Sequence, residues 1–289
     1  CFMGGKRVQE GIKILKENKI PNYPAPERGV ISLKAMDNYR KYKEESLKGK
    51  YVKFEVEKEK VREKIEYFKS NKINIVGDIE GREILSFYGI KVITSFLAKD
   101  ESECEKFLKE NEGIFVMKLV SPDIIHKTEA GGIKLGIRTP EEGKKAFKEI
   151  INSAKKYKPD AKITGVQIQQ MLEKGVEVII GVNKDIQFGH LIMFGLGGIF
   201  VEILKDVSFR VIPVTDNDAE QMISEIKTNK ILKGYRNIPA CDIESIKETI
   251  LRISQLVSDF PEIKEMDINP LIVKEKGCIA VDVRFAFEF

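Results

Sequence analysis

"EMDINPLIVKEKGCIAVDVRF", residues 265–285, reads as two strands joined by a tight turn, and its alternation carries much of the chemistry of the chain. Alternate side chains of a strand share a face, so Glu265, Asp267 and Asn269 point one way. Asp282 and Arg284 share a face on the returning strand. A turn at residues 274–277 sets Asn269 beside Asp282 and Asp267 beside Arg284. An amide oxygen and a carboxylate, with phosphate oxygens completing the shell, suit Mg2+. A strand edge carrying ordinary surface acids would produce the same letters.

Outward from the hairpin, strands and helices intermix. "GREILSFYGI" predicts a helix ending near Gly89, "KVITSFLA" a strand, "ESECEKFLKENEG" a helix and "IFVMKLV" a buried strand. "GGIKLGI" and "VQIQQML" read as strands flanking the helix "EEGKKAFKEIINSAKKYK". "VEVIIGVNKD" and "HLIMFGLGGIFVEILKD" continue as strands with a glycine-rich turn, and helices follow near 217–227 and 243–259. The pattern is that of an α/β or α+β protein with mixed sheets and no internal repeat.

Towards the N-terminus, Val8, Ile12 and Leu15 recur at helical spacing. Pro21, Pro24 and Pro26 force an extended link, and a second helix from about Glu27 carries Val30, Leu33 and Met36 on one face. Two helices bury too little to fold alone, so residues 1–45 read as the tail of a domain. Residues 46–76 are dominated by charge and read as a linker with some helix. The chain opens on Cys1 within a patterned segment, which predicts a piece of a longer polypeptide or a processed or split subunit.

Charged residues make up 33% of the 289, yet the net charge is only +4, which argues against nucleic acid as the main partner. Cys1, Cys104, Cys241 and Cys278 are far apart and form no CxxC pair, which fits a reducing compartment. With no apolar run long enough to span a membrane and no signal peptide, a cytoplasmic location is expected.

Four further stretches carry candidate chemistry. Lys118, in "VMKLVSPD", needs a partner because desolvating a lone ammonium is costly; a phosphate or a carboxylate would serve. In "QIQQMLEKGVEVIIGVNKD", two strands around a hinge offer backbone groups to an adenine edge, Met171 a soft contact and Glu177 a partner for a ribose hydroxyl. A plain hairpin is the simpler reading. "FGLGGIFVEILKD" has no Walker lysine and reads as a tight, close-packed turn. In "KLVSPDIIHKTEAGG", His126 is one of two histidines, and a neutral imidazole is nucleophilic. Ser121, Thr128 and the N–H groups near Gly131 and Gly132 are phosphate-compatible donors, and Glu129 is placed to orient a ring nitrogen. His190 reads as structural.

Taken in order, "GGKRVQEGIKILKENKIPNYPAPERGV", "SPDIIHKTEAGGIKLGI", "GVEVIIGVNKDIQFGHLIMFGLGGIFVEILKD", "KGYRNIPACD" and "EMDINPL…VDVR" resemble the ATP-grasp part of ADP-forming acyl-CoA synthetases. The resemblance implies an ATP-grasp fold of two lobes (about 77–168 and 169–289), preceded by the remnant of a flavodoxin-like CoA-ligase domain. It implies acyl-CoA + ADP + Pi = acid + ATP + CoA, with phosphate passing through a phosphohistidine. His126 matches the histidine on a mobile loop, with Gly131 and Gly132 as hinges. Lys118 matches a nucleotide-phosphate lysine; Gln169, Gln170 and Met171 with Glu177 match adenine and ribose contacts. Arg210 is expected in the same nucleotide set. Asn269 and Asp282, with Asp267 beside them, match the Mg2+ site. The cofactors implied are ATP/ADP and Mg2+, with CoA bound by domains outside this chain. The partners implied are those domains, a small carboxylic acid or acyl-CoA and further subunits of an oligomer. Glu129 stands where the family often has aspartate, and Val283 where alanine is common. A carboxylate–amine ligase or a regulatory nucleotide-binding module are the competing readings.

Overall fold

The C-terminal hairpin forms and lies inside the larger of two sheets. The structure is a computed structural model, describing residues 8–46, 49–124, 127–172, 175–198, 205–236 and 239–289. Strand β9 (Ile263–Val273) pairs with β6 (Val176–Asp185) on one side and with β11 (Val283–Phe287) on the other. The short β10 (Cys278–Ala280) folds back on β9 through a turn closed by Lys274 N–H to Gly277 O, 3.1 Å. Outward lie β1 (Ile75–Val76) beyond β11, and β7 (Gly189–Leu196) and β8 (Val207–Val211) beyond β6. Every pairing of named strands is antiparallel; the parallel contact is an isolated bridge, Val92 to Ala280.

The register agrees with the alternation argument. Arg284 sits opposite Asp267, and the Asn269 N–H donates to the Asp282 carbonyl at 3.0 Å. Against β6 the register shifts: Ile180 faces Ile268 but Val178 faces Leu271, so one residue opposes Asn269 and Pro270. This bulge moves the buried set from Met266 and Ile268 to Leu271 and Val273, and leaves Asn269 exposed at the kink. The Asn269–Pro270 peptide is cis.

One face of this sheet carries the main core. Helix α9 (Ile243–Asp259) contributes Ile246, Ile250, Ile253 and Val257, each at most 1% exposed, at the i, i+4, i+7, i+11 spacing of a single stripe. Helices α4 (Asp78–Phe87) and α7 (Asp216–Glu225) join it, with α8 (Asn229–Leu232) as a short connector. Helix α3 (Lys58–Ser70) also docks here through Val61, Ile65 and Phe68. The segment expected as a charged linker therefore includes a core helix: its charges are many, but they leave one apolar stripe clear.

The smaller sheet runs β2 (Ser95–Ala98), β5 (Gly165–Gln170), β3 (Phe115–Val120), β4 (Ile133–Ile137), covered by α5 (Glu101–Glu110) and α6 (Pro140–Tyr157). A capping box, Thr139 with Glu142, starts α6 as its sequence requires. Since β5 lies wholly in this sheet, the lobe boundary expected at 168/169 falls instead in the connection between β5 and β6. At the N-terminus α1 (Gln9–Glu17) buries no residue, and α2 (Pro26–Ser46) leaves Val30, Leu33 and Met36 exposed. Among the described residues, no helix is long and apolar enough to cross a membrane.

Candidate functional site between the two sheets

Strand alternation decides which polar side chains meet. On β3, Phe115, Met117 and Leu119 pack under α5 and α6, which turns Lys118 to the opposite face. On β5, Val166 and Ile168 join that core and turn Gln167 and Gln169 the same way as Lys118, its cross-strand partner being Gln167. Ser95 of β2 lies opposite Gln169 and completes the face. Lys118 Nζ donates to Gln169 Oε1 at 2.6 Å, and Gln169 Nε2 donates across the gap to the Val281 carbonyl at 3.2 Å. Gln169 is thus a buried strut that aims the lysine.

The facing wall comes from α4 and the end of the hairpin. Asp78, in the first turn of α4, accepts from Gln167 Nε2 at 2.9 Å and pairs with Arg82 at 2.9 Å. Arg82, only 3% exposed, also donates to the Ser95 hydroxyl at 2.6 Å. Gly81 lets α4 press onto β11: an added Cβ would lie 3.1 Å from Val283 Cγ1. Asp78 Oδ1 and an Arg82 guanidinium nitrogen are buried without a hydrogen-bond partner among the described residues, a pattern that concentrates at functional sites.

Charges in this gap perturb one another. Burial lowers the Lys118 pKa, while Asp282 and Asp78 pull it back up. Burial raises the Asp78 carboxyl, against the Gln167 hydrogen bond and the Arg82 charge. Burial also raises Asp267, and the Asp282 carboxylate raises it further. Crowded carboxylates facing a half-buried lysine across a cleft make a setting for a bound cation and a polyanion together. Among the described residues no group of three or more His, Cys, Asp or Glu side chains could hold a metal unaided. Asn269 and Asp282 would supply two ligands and leave the rest to phosphate oxygens and water, which fits Mg2+.

The other expected residues are dispersed. The Gln170 and Met171 N–H groups donate to Thr94 O (3.0 Å) and Ile114 O (2.6 Å), so Met171 can meet a base through its exposed thioether rather than its amide. Glu177 is exposed at the start of β6, and Gly197 is pressed against it: an added Cβ would lie 3.1 Å from Glu177 Cβ. The close packing read there holds at Gly197; residues 199–204 of that stretch lie outside the described residues. His126 lies outside the described residues. Thr128 and Glu129 are exposed on the turn that follows it. Three of the donors expected for phosphate have protein partners in this structure. The Ser121 hydroxyl donates to Lys162 O at 2.7 Å, and the Gly131 and Gly132 N–H groups close the turn onto Thr128 O and Lys127 O. In this conformation they shape the loop. Gly131 has φ +64°, the left-handed conformation that suits glycine. His190 is structural as expected, its Nε2 2.8 Å from Ile263 O.

Arg210 is held on the α7 side of the large sheet. Ser208 bonds Met222 O of α7 at 2.9 Å, so the alternate residue Arg210 also faces α7, where it pairs with Glu225 at 2.6 Å. Phe209 instead lies on the open face with Asp267 and Arg284, and Val211 is exposed. Arg210→Ala is expected to leave nucleotide affinity unchanged and to lower stability by about 1 kcal/mol, roughly 2–4 °C in a melting curve. A loss of nucleotide affinity by calorimetry would restore it to the site.

Comparison with known proteins bears directly on this cleft. The ATP-grasp domain family matches residues 68–287, which take in both sheets. The beta subunit of ADP-forming acetate–CoA ligase I from Pyrococcus furiosus is 50% identical over 225 residues, 78% of this chain and 97% of that subunit. The chain belongs to the ADP-forming acyl-CoA synthetase family. The ADP-forming 4-hydroxybutyrate–CoA ligase of Nitrosopumilus maritimus is 44% identical over 282 residues, 96% of this chain. This chain spans only 40% of that protein's length. Among solved structures, a chain of acetyl-coenzyme A synthetase 1 from Candidatus Korarchaeum cryptofilum superposes with a TM-score of 0.74 at 41% identity. That match covers 79% of this chain and all of the other; the structure holds coenzyme A, acetyl-coenzyme A and a phosphorylated phosphohistidine segment. The same enzyme has been solved with coenzyme A and Mg-AMPPCP.

Asp78, Arg82 and Gln167 were not singled out from the sequence. An acid and an arginine four apart at a helix start look like a routine surface pair, and a strand glutamine carries no motif. A Gly81 between them, clearing the way to another strand, was the available signal.

Proposed function

We propose that this chain is the nucleotide site of an ADP-forming acyl-CoA synthetase, exchanging a phosphoryl group between His126 and ADP. The observation that carries the reading is Lys118, half-buried and held by Gln169 in a gap whose far wall carries the Asp282 carboxylate. Lys118 binds the nucleotide phosphates, Met171 meets the base and Glu177 a ribose hydroxyl. Mg2+, when bound by Asn269 and Asp282, would neutralise charge on the phosphate oxygens. In the direction of His126 phosphorylation, a lone pair of the neutral imidazole attacks the γ-phosphorus. A P–N bond forms, the bridging P–O bond breaks, and ADP leaves with the electron pair. Glu129 holds the other ring nitrogen so that the attacking one stays unprotonated.

The complete reaction is then acyl-CoA + ADP + Pi = acid + ATP + CoA, with the acyl-CoA and CoA sites on a partner domain or subunit. Residues 1–45 are the end of that partner region, and the assembly is an oligomer working in the cytoplasm. The test is incubation with Mg-ATP followed by mass spectrometry under alkaline conditions that preserve phosphohistidine. Phosphate on His126 is the expected result; phosphate elsewhere, or none, overturns the reading.

A further inference from the structure

We propose that Gln167 and Asp78 are positioning residues for the metal-binding pair, holding the backbone around Asp282 in register with Lys118. This rests on the reading of Asn269 and Asp282 as Mg2+ ligands. The residues on either side of Asp282 are each engaged by a glutamine of β5, and the two routes differ. On one side, Gln169 donates directly to the Val281 carbonyl at 3.2 Å. On the other, Gln167 donates to Asp78 at 2.9 Å, and Asp78 opens helix α4, which presses onto Val283 at Gly81, where an added Cβ would lie 3.1 Å from Val283 Cγ1. The Asp282 carbonyl itself accepts from Asn269 N–H at 3.0 Å, which ties the two ligands together.

Asp282 is therefore fixed by one strand of the small sheet, two residues apart on one face, at 5% and 2% exposure for Gln167 and Gln169. Lys118 stands on the neighbouring strand opposite Gln167. The phosphate-binding cation and the metal-binding carboxylate thus share a frame, although they belong to different sheets. Arg82 holds Asp78 in place through its ion pair at 2.9 Å and anchors to Ser95 of the small sheet. Buried side chains two bonds removed from a ligand set its orientation, and their loss costs metal affinity without removing a ligand.

The test is calorimetric titration of the whole chain with AMPPCP, with and without Mg2+, for the unaltered protein, Gln167→Met and Asp282→Asn. Methionine keeps the length of glutamine and removes the donor. Gln167→Met is expected to reduce the Mg2+-dependent gain in affinity roughly 10-fold while metal-free affinity stays within about twofold. Should Gln167→Met fold poorly, Asp78→Asn serves: the neutral amide keeps the shape but loses the ion pair with Arg82 that holds residue 78 in place, and the same selective loss is expected. An unchanged Mg2+ gain in the variant, or an equal fall with and without metal, overturns the proposal. If Asp282→Asn loses the gain and Gln167→Met keeps it, the positioning role alone fails. If Asp282→Asn keeps it too, the metal-pair reading fails and the positioning role falls with it.

Discussion

His126→Ala is expected to abolish acid-labile, alkali-stable phosphate incorporation from Mg-ATP while leaving nucleotide affinity within about threefold. The expectation follows from a division of labour. Phosphate and base contacts are assigned to Lys118, Met171 and Glu177, and not to the imidazole. The imidazole contributes the nucleophile, and the second histidine, His190, is engaged elsewhere, its Nε2 2.8 Å from Ile263 O. Labelling with γ-32P-ATP, followed by acid and base treatment, measures the outcome. Persistent acid-labile label in the variant would sink the phosphohistidine step. Parallel loss of label and nucleotide binding would mean that the substitution damaged the site instead.

Lys118→Met should weaken ATP and ADP binding by roughly 30-fold or more, the scale of about 2 kcal/mol expected when one partner of a buried charge pair is removed. Adenosine, which lacks phosphates, should bind the variant as it binds the unaltered protein. An equal loss for adenosine would place Lys118 in the scaffold rather than on the phosphates. A pH dependence accompanies this. Burial holds the Lys118 pKa below its ordinary value in the free protein, and phosphate oxygens beside the ammonium would raise it. Between the two pKa values binding takes up a proton, so affinity should fall as pH rises through that alkaline window. Lys118→Met should remove that slope. Calorimetry in buffers of different ionisation enthalpy counts the protons directly.

The long periodic elements were legible because their patterns are local. The stripe of α9, the capping box of α6 and the alternation of β9 and β11 need only neighbouring residues, and each stands where its spacing places it. Segment 58–70 was less legible, because its lysines and glutamates outnumber the three apolar residues that dock it. Strand β8 alternates as V-S-F-R-V, but its polar Ser208 and Arg210 face α7 while Phe209 and Val211 are exposed, so the pattern did not show which face carries Arg210. Ser121, Gly131 and Gly132 show a different limit: their residue types suit phosphate, but whether a donor is free depends on where the loop turns back on itself.

By itself, then, the amino-acid sequence determined the two sheets' main strands, the pairing of Asn269 with Asp282 and the face on which each alternating residue lies. These follow from 3.6- and 2-residue periods and from a short hairpin turn, all of which act over a few residues. What only the tertiary structure decided is the partnership across the lobes: Gln167 with Asp78, Arg82 with Ser95, Gln169 with Val281. These residues lie 13 to 112 positions apart, and their hydrogen bonds exist because two separately packed cores leave their polar faces opposite each other. A hydrogen bond of that kind has no local period to announce it. The same packing gives Lys118 a burial that shifts its pKa.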